Sequence, residues 1–115
     1  MATNQPTRTT AYTIMGEIDN ETLFNFIHNV LPARKFTSHD FTMLFKTHFS
    51  NEYERMLEVY AEYGETPYRN QQITKAIGKY LGNHQQSLHI DNIGKARSKN
   101  INGTVSSASI WRKTL

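Results

Sequence analysis

The chain has 115 residues and a formal net charge of +3, and 37% of its residues are hydrophobic, which predicts a single folded domain with a modest core. It contains no cysteine, which excludes disulfide bonds and thiolate chemistry. No apolar run approaches the roughly 20 residues needed to cross a bilayer, and the polar N-terminus lacks the apolar stretch of a signal peptide, so we expect a cytoplasmic protein.

The first 35 residues divide into two predicted parts. Residues 1–11 are rich in Thr and small polar side chains with little to bury, so they are predicted to be disordered. Within residues 12–35, an extra N-terminal helix is predicted from Asn20 to about Leu31, where Pro32 ends it. The apolar face of this helix is broad and carries Leu23, Phe24, Phe26, Ile27 and Val30.

A face this wide exceeds the single stripe that one small core needs. We therefore expect a homodimer formed at least partly through the helix 20–31. The alternative is that Phe24 and Ile27 pack on the domain's own helices, while the other apolar side chains of the face are half-exposed.

The second predicted helix has a clear start. Thr37 is a good N-cap with Asp40 three residues later, and this pair can form a capping box. Phe36 and Phe41 occupy the two positions of a hydrophobic staple, which fixes the angle at which the chain enters a helix. The sequence therefore predicts a helix that begins directly after Thr37.

A third helix is predicted between a cap at Ser50 or Asn51 and an end at Gly64, where a left-handed residue is favoured. Its polar face is acidic and carries Glu52, Glu54, Glu58 and Glu62. We interpret these carboxylates as a solvated face rather than as a pair that performs hydrolysis.

A fourth helix is predicted from about Asn70 to Leu81, closed by Gly82. One side is apolar and carries Ile73, Ala76, Ile77, Tyr80 and Leu81. The opposite side has no acid and carries Gln71, Gln72, Lys75, Gly78 and Lys79. Glutamine can bond adenine edges, and lysine can reach guanine or phosphate, so this face suits a helix that lies in the major groove of DNA. The alternative is an ordinary solvated helix face.

The C-terminal part predicts a hairpin, because Asn102-Gly103 is the preferred pair for a two-residue type I′ turn. The turn would join strands over residues 93–101 and 104–113. That loop length pairs Lys95 with Ile110, Arg97 with Ala108, Lys99 with Ser106, and Trp111 with Gly94. The three cations then share one face of a strand. Trp111 is expected to be a structural anchor where the hairpin meets the helices.

Positive charge is concentrated in the same C-terminal part. Residues 67–115 hold eight cations and one acid, hence +7, whereas residues 1–66 hold five cations and nine acids, hence −4. A segregated basic region on a helix and a hairpin is typical of a nucleic-acid binder, although surface charges can also cluster by chance. The candidate contact residues are Arg69, Asn70, Gln71, Gln72, Lys75, Lys79, Lys95, Arg97 and Lys99.

The order of these elements resembles the winged helix-turn-helix domains. The residues that carry the resemblance are 36–41, 51–53, 70–81, the wing 93–110 and Trp111. The expected fold is mainly α, with about four helices in the chain and a two-stranded C-terminal wing, and the resemblance implies a winged-helix domain over residues 36–115. It implies a recognition helix (70–81) in the major groove and a wing (93–113) on the backbone or in the minor groove. The segment is also similar to small winged-helix modules of phage and mobile-element proteins.

Enzymatic chemistry is not predicted. The five histidines show no zinc-ligand spacing and have no cysteine partners. There is no phosphate-binding glycine loop and no nucleophile motif. We therefore expect no enzyme activity, no cofactor and no metal.

Two functions remain open. In the first, the domain binds duplex DNA and acts in transcription regulation or mobile-element replication; binding of single-stranded DNA or RNA is a variant, in which Tyr68 could stack on a base. In the second, the domain is a protein-interaction module that docks on a host protein and modulates it. The acidic third helix or the aromatic helix 20–31 would then form the docking face.

Overall fold

The computed structural model describes residues 9–115 and combines helices with a three-stranded antiparallel sheet. The expected mainly helical chain with a C-terminal antiparallel hairpin is confirmed, but the hairpin has a third strand beside it. In chain order the elements are α1 (Ala11–Glu17), α2 (Asn20–Asn25), a π-helical turn (Phe26–Val30), β1 (Lys35–Thr37), α3 (Ser38–His48), α4 (Ser50–Val59), a 3-10 turn (Ala61–Tyr63), α5 (Thr66–Asn83), α6 (Gln85–Leu88), β2 (Ile90–Lys99) and β3 (Val105–Lys113). The strand order is β1-β3-β2.

Helix α1 was not predicted from the sequence. Thr10 caps it, because the Thr10 hydroxyl accepts a hydrogen bond from the Thr13 amide at 3.3 Å. Ala11, Ile14 and Met15 are fully buried, and the helix packs on α4 and α5. Residues 1–8 of the segment predicted to be disordered lie outside the described residues, but Ala11 at its end belongs to the core.

The broad apolar face of α2 and its π-helical turn is used within the chain. Leu23, Phe26 and Ile27 are buried, and the Phe26 ring lies 5.2 Å from the rings of both Phe41 and Phe49. Val30 is 38% exposed at the end of the face. Most of this face is therefore packed within the chain, while Phe24 is only half-buried, and a homodimer through the helix 20–31 stays a prediction.

The start of α3 forms as predicted. The Thr37 amide donates to Asp40 Oδ2 at 2.9 Å, and the Asp40 amide donates to the Thr37 hydroxyl at 3.1 Å, which completes the capping box. The rings of Phe36 and Phe41 lie 6.3 Å apart, as in a hydrophobic staple. The unpredicted feature is β1, three residues that pair with β3 and place Phe36 opposite Trp111.

Helix α5 is longer at both ends than the predicted 70–81. It begins at Thr66 because Pro67 is tolerated in the first turn, where a backbone amide is not needed for the helix. The predicted end of the third helix at Gly64 is wrong, because α4 ends at Val59 and the 3-10 turn follows it. Gly64 ends that turn with φ 82° and ψ −120°, a conformation open to glycine that is not the left-handed helical one. Gly82 does not end α5; a Cβ placed there would lie 3.8 Å from the Trp111 ring, so this residue packs against the anchor of the hairpin.

The predicted type I′ turn is wrong. Gly103 N–H donates to the Asn100 carbonyl at 2.9 Å, so Ile101 and Asn102 form the centre of the turn, and Gly103 follows with φ 86°. A type I′ turn needs positive φ at both central residues, and neither Ile101 nor Asn102 has it. The loop is therefore one residue longer than predicted, with glycine in its left-handed position.

The longer loop shifts the predicted register. Each cation of β2 pairs one residue earlier in β3 than expected: Lys95 with Ser109, Arg97 with Ser107 and Lys99 with Val105. A bulge at Ile93 shifts the pairing again, so Trp111 lies opposite Asn92 and Gly94 lies opposite Ile110. The three cations still share one face, since the period of a strand is unaffected by its partner.

A chain of hydrogen-bonded polar side chains, buried at Tyr53 and Asn70 and half-buried at Asn102, fastens the hairpin turn to α5. The Tyr53 hydroxyl donates to Asn70 Oδ1 at 2.6 Å, and Asn70 Nδ2 donates to Asn102 Oδ1 at 2.9 Å. Asn102 Nδ2 in turn donates to the Pro67 carbonyl at 2.9 Å. Burial raises the pKa of Tyr53, so its hydroxyl stays protonated and available as the donor. We call this chain the Asn70–Asn102 clasp.

We predict that Tyr53→Phe destabilises the protein by about 1–3 kcal/mol, because it leaves Asn70 Oδ1 buried without its donor. Urea unfolding followed by Trp111 fluorescence would measure the change. Tyr63→Phe is the control: Tyr63 is 45% exposed, so the loss of its hydroxyl should matter little. Equal unfolding midpoints for the wild type and Tyr53→Phe would show that the clasp does not contribute to stability.

Candidate nucleic-acid interface

Helix α5 and the β2–β3 hairpin enclose a groove of about 650 Å³. The α5 wall consists of Gln71, Thr74, Lys75, Gly78 and Lys79. The hairpin wall consists of Lys95, residues 100–102, Thr104 and residues 106–109. Ser38 and His39 at the start of α3 close the groove at its base, and Asn70 of the clasp lies at one end.

The chemistry of the groove is cationic and rich in hydrogen-bonding groups. Lys75, Lys79 and Lys95 line it, and no lining residue carries a carboxylate. Most other lining side chains are hydroxyls and amides, which can donate to anionic oxygen. The Lys79 ammonium lies 5.9 Å from the centre of the Tyr12 ring of α1, a cation–π contact that holds it at the rim. The groove therefore suits a polar, negatively charged ligand.

The outer face of the hairpin continues this positive surface. Lys95, Arg97 and Lys99 are all exposed and stand at alternate positions of β2. Within residues 9–115, no salt bridge neutralises any of them. Their partners on β3 include Ser107 and Ser109, whose short side chains leave the long cationic ones uncrowded. Because Lys95 also lines the groove, the groove and the outer face form one basic surface.

The structure places the nine candidate contact residues in different surroundings. Gln71, Lys75, Lys79 and Lys95 line the groove, and Arg97 and Lys99 stand on the outer hairpin face. Gln72 is half-buried and is not part of the groove lining.

Two candidates are occupied by contacts within the chain. Arg69 Nε donates to the Gly64 carbonyl at 2.6 Å and thereby ties down the loop before α5. Asn70 is 5% exposed, and its amide is used by the clasp. The expected contact of Asn70 with nucleic acid does not fit this burial, and we leave Asn70 out of the proposed surface.

Sequence reasoning missed the hydroxyl groups of the groove. Thr74, Thr104 and the serines of β3 line it, and none of them was among the candidate contact residues. The sequence did hold a sign of these groups, because Ser106, Ser107 and Ser109 lie within four residues of one strand. Short hydroxyl side chains provide hydrogen-bonding groups and leave space for a ligand.

His39 joins α3 to both strands of the hairpin and had no predicted role. It is 4% exposed; Nδ1 lies 2.7 Å from the Ser98 hydroxyl oxygen, and Nε2 lies 3.4 Å from that of Ser106. Burial lowers the pKa of His39, while the contact with Ser98 and the charge of Asp40 act in the opposite direction. His39 therefore supports the hairpin as a neutral side chain.

We predict that the protein loses stability as the pH falls below about 6.5, the pKa of an unperturbed histidine. The unfolded chain binds a proton at His39 more readily than the folded protein does, so acid favours unfolding. Urea unfolding between pH 5 and 8 would measure this dependence, and His39→Gln should weaken it. An identical pH dependence in His39→Gln and the wild type would assign the effect to other groups.

Comparison with known proteins identifies no matching family model, no significantly similar curated protein and no significantly similar solved structure. In residues 9–115, none of the helices combines the length and apolar character required to span a bilayer. No group of three or more His, Asp or Glu side chains in the same range is placed to hold a metal ion.

Proposed function

We propose that the protein binds nucleic acid through α5 and the basic hairpin. The observation that carries the proposal is the continuous basic surface, which joins a groove lined by three lysines and no carboxylate to an exposed face that adds Arg97 and Lys99. A polyanion with regularly spaced phosphates is the ligand that gains most from such a surface, because each contact releases condensed counterions.

The polar groups of the groove add to the attraction of the cations. Serine, threonine and asparagine side chains commonly bond phosphate oxygens and sugars, and these contacts position a protein on nucleic acid without reading its sequence. Thr74 of α5 and Ser107 and Ser109 of β3 provide such groups on both walls of the groove. The surface thus supports binding to the backbone of the nucleic acid first, with base contacts as a second contribution.

The winged-helix interpretation is supported by the position of the hairpin beside α5. Regulation of transcription or replication of a mobile element is the setting that this resemblance implies. A helix with its side chains is about 10–12 Å wide and fills a major groove of about 12 Å. On one flank of α5, Tyr12 of α1 contacts Lys79 and Asn83, and on the other lies the hairpin. These neighbours limit how deeply α5 can enter a major groove.

A protein-docking role would use a different surface. The acidic face of α4 exposes Glu54 and Glu58, and neither lines the groove. The two functions can therefore be separated by mutation, since substitution of Glu54 and Glu58 would impair docking of a basic partner and leave the groove intact.

We predict that replacing Lys95, Arg97 and Lys99 with Ala weakens binding to every nucleic acid. If each cation contacts one phosphate, the slope of log affinity against log salt becomes shallower by about 0.7–0.9 per lost contact, or about two to three for the triple variant. Fluorescence anisotropy with labelled oligonucleotides, at two or more salt concentrations, would measure both changes.

The matched control removes three cations from the other half of the chain: Arg34, Lys35 and Lys46, all exposed. It loses the same charge, so general attraction weakens equally in both variants. If the two triple variants have the same affinity and salt slope, the hairpin is not a specific contact surface. Circular dichroism would confirm that both variants remain folded.

We predict that Gln71→Ala reduces any preference for a base sequence, while Gln72→Ala leaves it nearly unchanged. Gln71 is exposed in the groove, whereas its neighbour Gln72 is half-buried outside the groove. A base contact by an amide is worth about 1–3 kcal/mol of discrimination. Competition between a preferred and a scrambled oligonucleotide would measure it, and equal effects of both variants would exclude a base contact at Gln71.

A further inference from the structure

Tyr68 is the most exposed aromatic side chain at the basic surface. Its exposed fraction is 55%, and it lies in the first turn of α5. The neighbouring Pro67 carbonyl accepts the hydrogen bond from Asn102 that fastens the hairpin turn. Tyr68 therefore follows a residue of the clasp in sequence and precedes Gln71, an exposed residue of the α5 wall, by three positions.

Nothing within the described part of the chain gives Tyr68 a structural role. Across residues 9–115, its ring contacts no other aromatic ring and its hydroxyl makes no hydrogen bond. Two other tyrosines in or next to α5 are engaged: the Tyr53 hydroxyl is buried in the clasp, and the Tyr80 ring stacks on His84 at 3.8 Å. A large apolar ring left in water is available to a ligand.

Tyr68 lies on the same open stripe of α5 as the cations. Tyr68, Gln71, Lys75 and Lys79 follow one another at intervals of three or four residues, and all four are exposed. From Tyr68 to Lys79 the stripe is about 16 Å long, at about 1.5 Å per residue. One line thus presents an aromatic ring, then an amide, then two ammonium groups.

The clasp determines which form of nucleic acid fits. It holds the hairpin turn against the N-terminal part of α5. The space between α5 and the hairpin is therefore closed at this end. Its volume of about 650 Å³ is within the roughly 300–1,000 Å³ of sites for small molecules. A groove of this size can take part of a single strand but cannot enclose a double helix.

We infer that this groove binds single-stranded nucleic acid, with a base stacked on Tyr68 and the phosphates on Lys75, Lys79 and Lys95. The inference rests on the proposed function and specifies its ligand. Stacking on an aromatic ring together with a cationic groove is how proteins hold single strands without strong sequence preference. DNA and RNA strands share this chemistry, since neither the ring nor the lysines distinguish the sugar.

The test compares four short labelled oligonucleotides by fluorescence anisotropy at one salt concentration: single-stranded DNA, single-stranded RNA and the duplex of each. The wild type should bind the single strands more tightly than the duplexes. Tyr68→Ala should weaken single-strand binding by about 5- to 150-fold, which corresponds to the loss of one stacked base. Tyr68→Phe keeps the ring and should retain most of the affinity.

Tyr63→Ala is the matched control. Tyr63 is also exposed, at 45%, but its ring packs 5.7 Å from Tyr60 and lies in the turn before α5. The Tyr63→Ala variant should bind single strands with the same affinity as the wild type. Three results would each overturn the inference and leave the proposed nucleic-acid binding intact. They are tighter binding of duplexes than of single strands by the wild type, wild-type affinity in Tyr68→Ala, and a loss in Tyr68→Phe as large as that in Tyr68→Ala. If the wild type binds none of the four oligonucleotides even at low salt, the proposed function fails as well.

Discussion

The hairpin owes its position to hydrogen bonds at its two ends. At the turn, the Asn70–Asn102 clasp fastens it to α5. At the base, the Trp111 indole donates to the Ser38 hydroxyl at 2.9 Å, and the ring is fully buried. A hairpin alone is marginally stable in water, so it needs such tertiary contacts to hold one position. The groove exists because both attachments hold β2 and β3 at a fixed distance from α5.

These attachments involve polar groups that would be costly to bury alone. Within the described residues, no buried side-chain nitrogen or oxygen lacks a hydrogen-bond partner. Such a network rigidifies a structure only when every member is bonded, since one unsatisfied group costs more than a typical hydrogen bond contributes. His39, with a serine hydroxyl near each ring nitrogen, belongs to the same arrangement between α3 and the hairpin. The walls of the groove are therefore supported by directional contacts as well as by apolar packing.

Local patterns predicted α2 to α5 in outline, missed α1 and α6, and failed where tertiary contacts decide. The capping box at Thr37 depends only on neighbouring residues, and it was predicted. The turn at residues 100–103 was not, because Asn102 is required by its side chain for the clasp, whose partner Asn70 is 32 residues away in sequence. Strand β1 has only three residues and exists through its pairing with β3. The cations of the candidate site were predicted, because the spacing of charged residues along α5 is a local pattern. Its hydroxyl groups were missed, because the register of the hairpin decides which serines of β3 line the groove.

The net charge counted along the sequence overstates the positive charge that is available to a ligand. Of the eight cations in residues 67–115, three are engaged within the fold: Arg69 with the Gly64 carbonyl, Arg112 with Asp91 at 3.5 Å, and Lys113 with the Leu31 carbonyl. Burial lowers the pKa of Lys113, and the buried ammonium group is out of reach of a ligand. The remaining five lie on α5 and β2, and Lys95 of β2 lines the groove together with Lys75 and Lys79 of α5. Of the cations in residues 67–115, those that the fold does not engage through a carbonyl or carboxylate thus all lie on the two elements that border the groove.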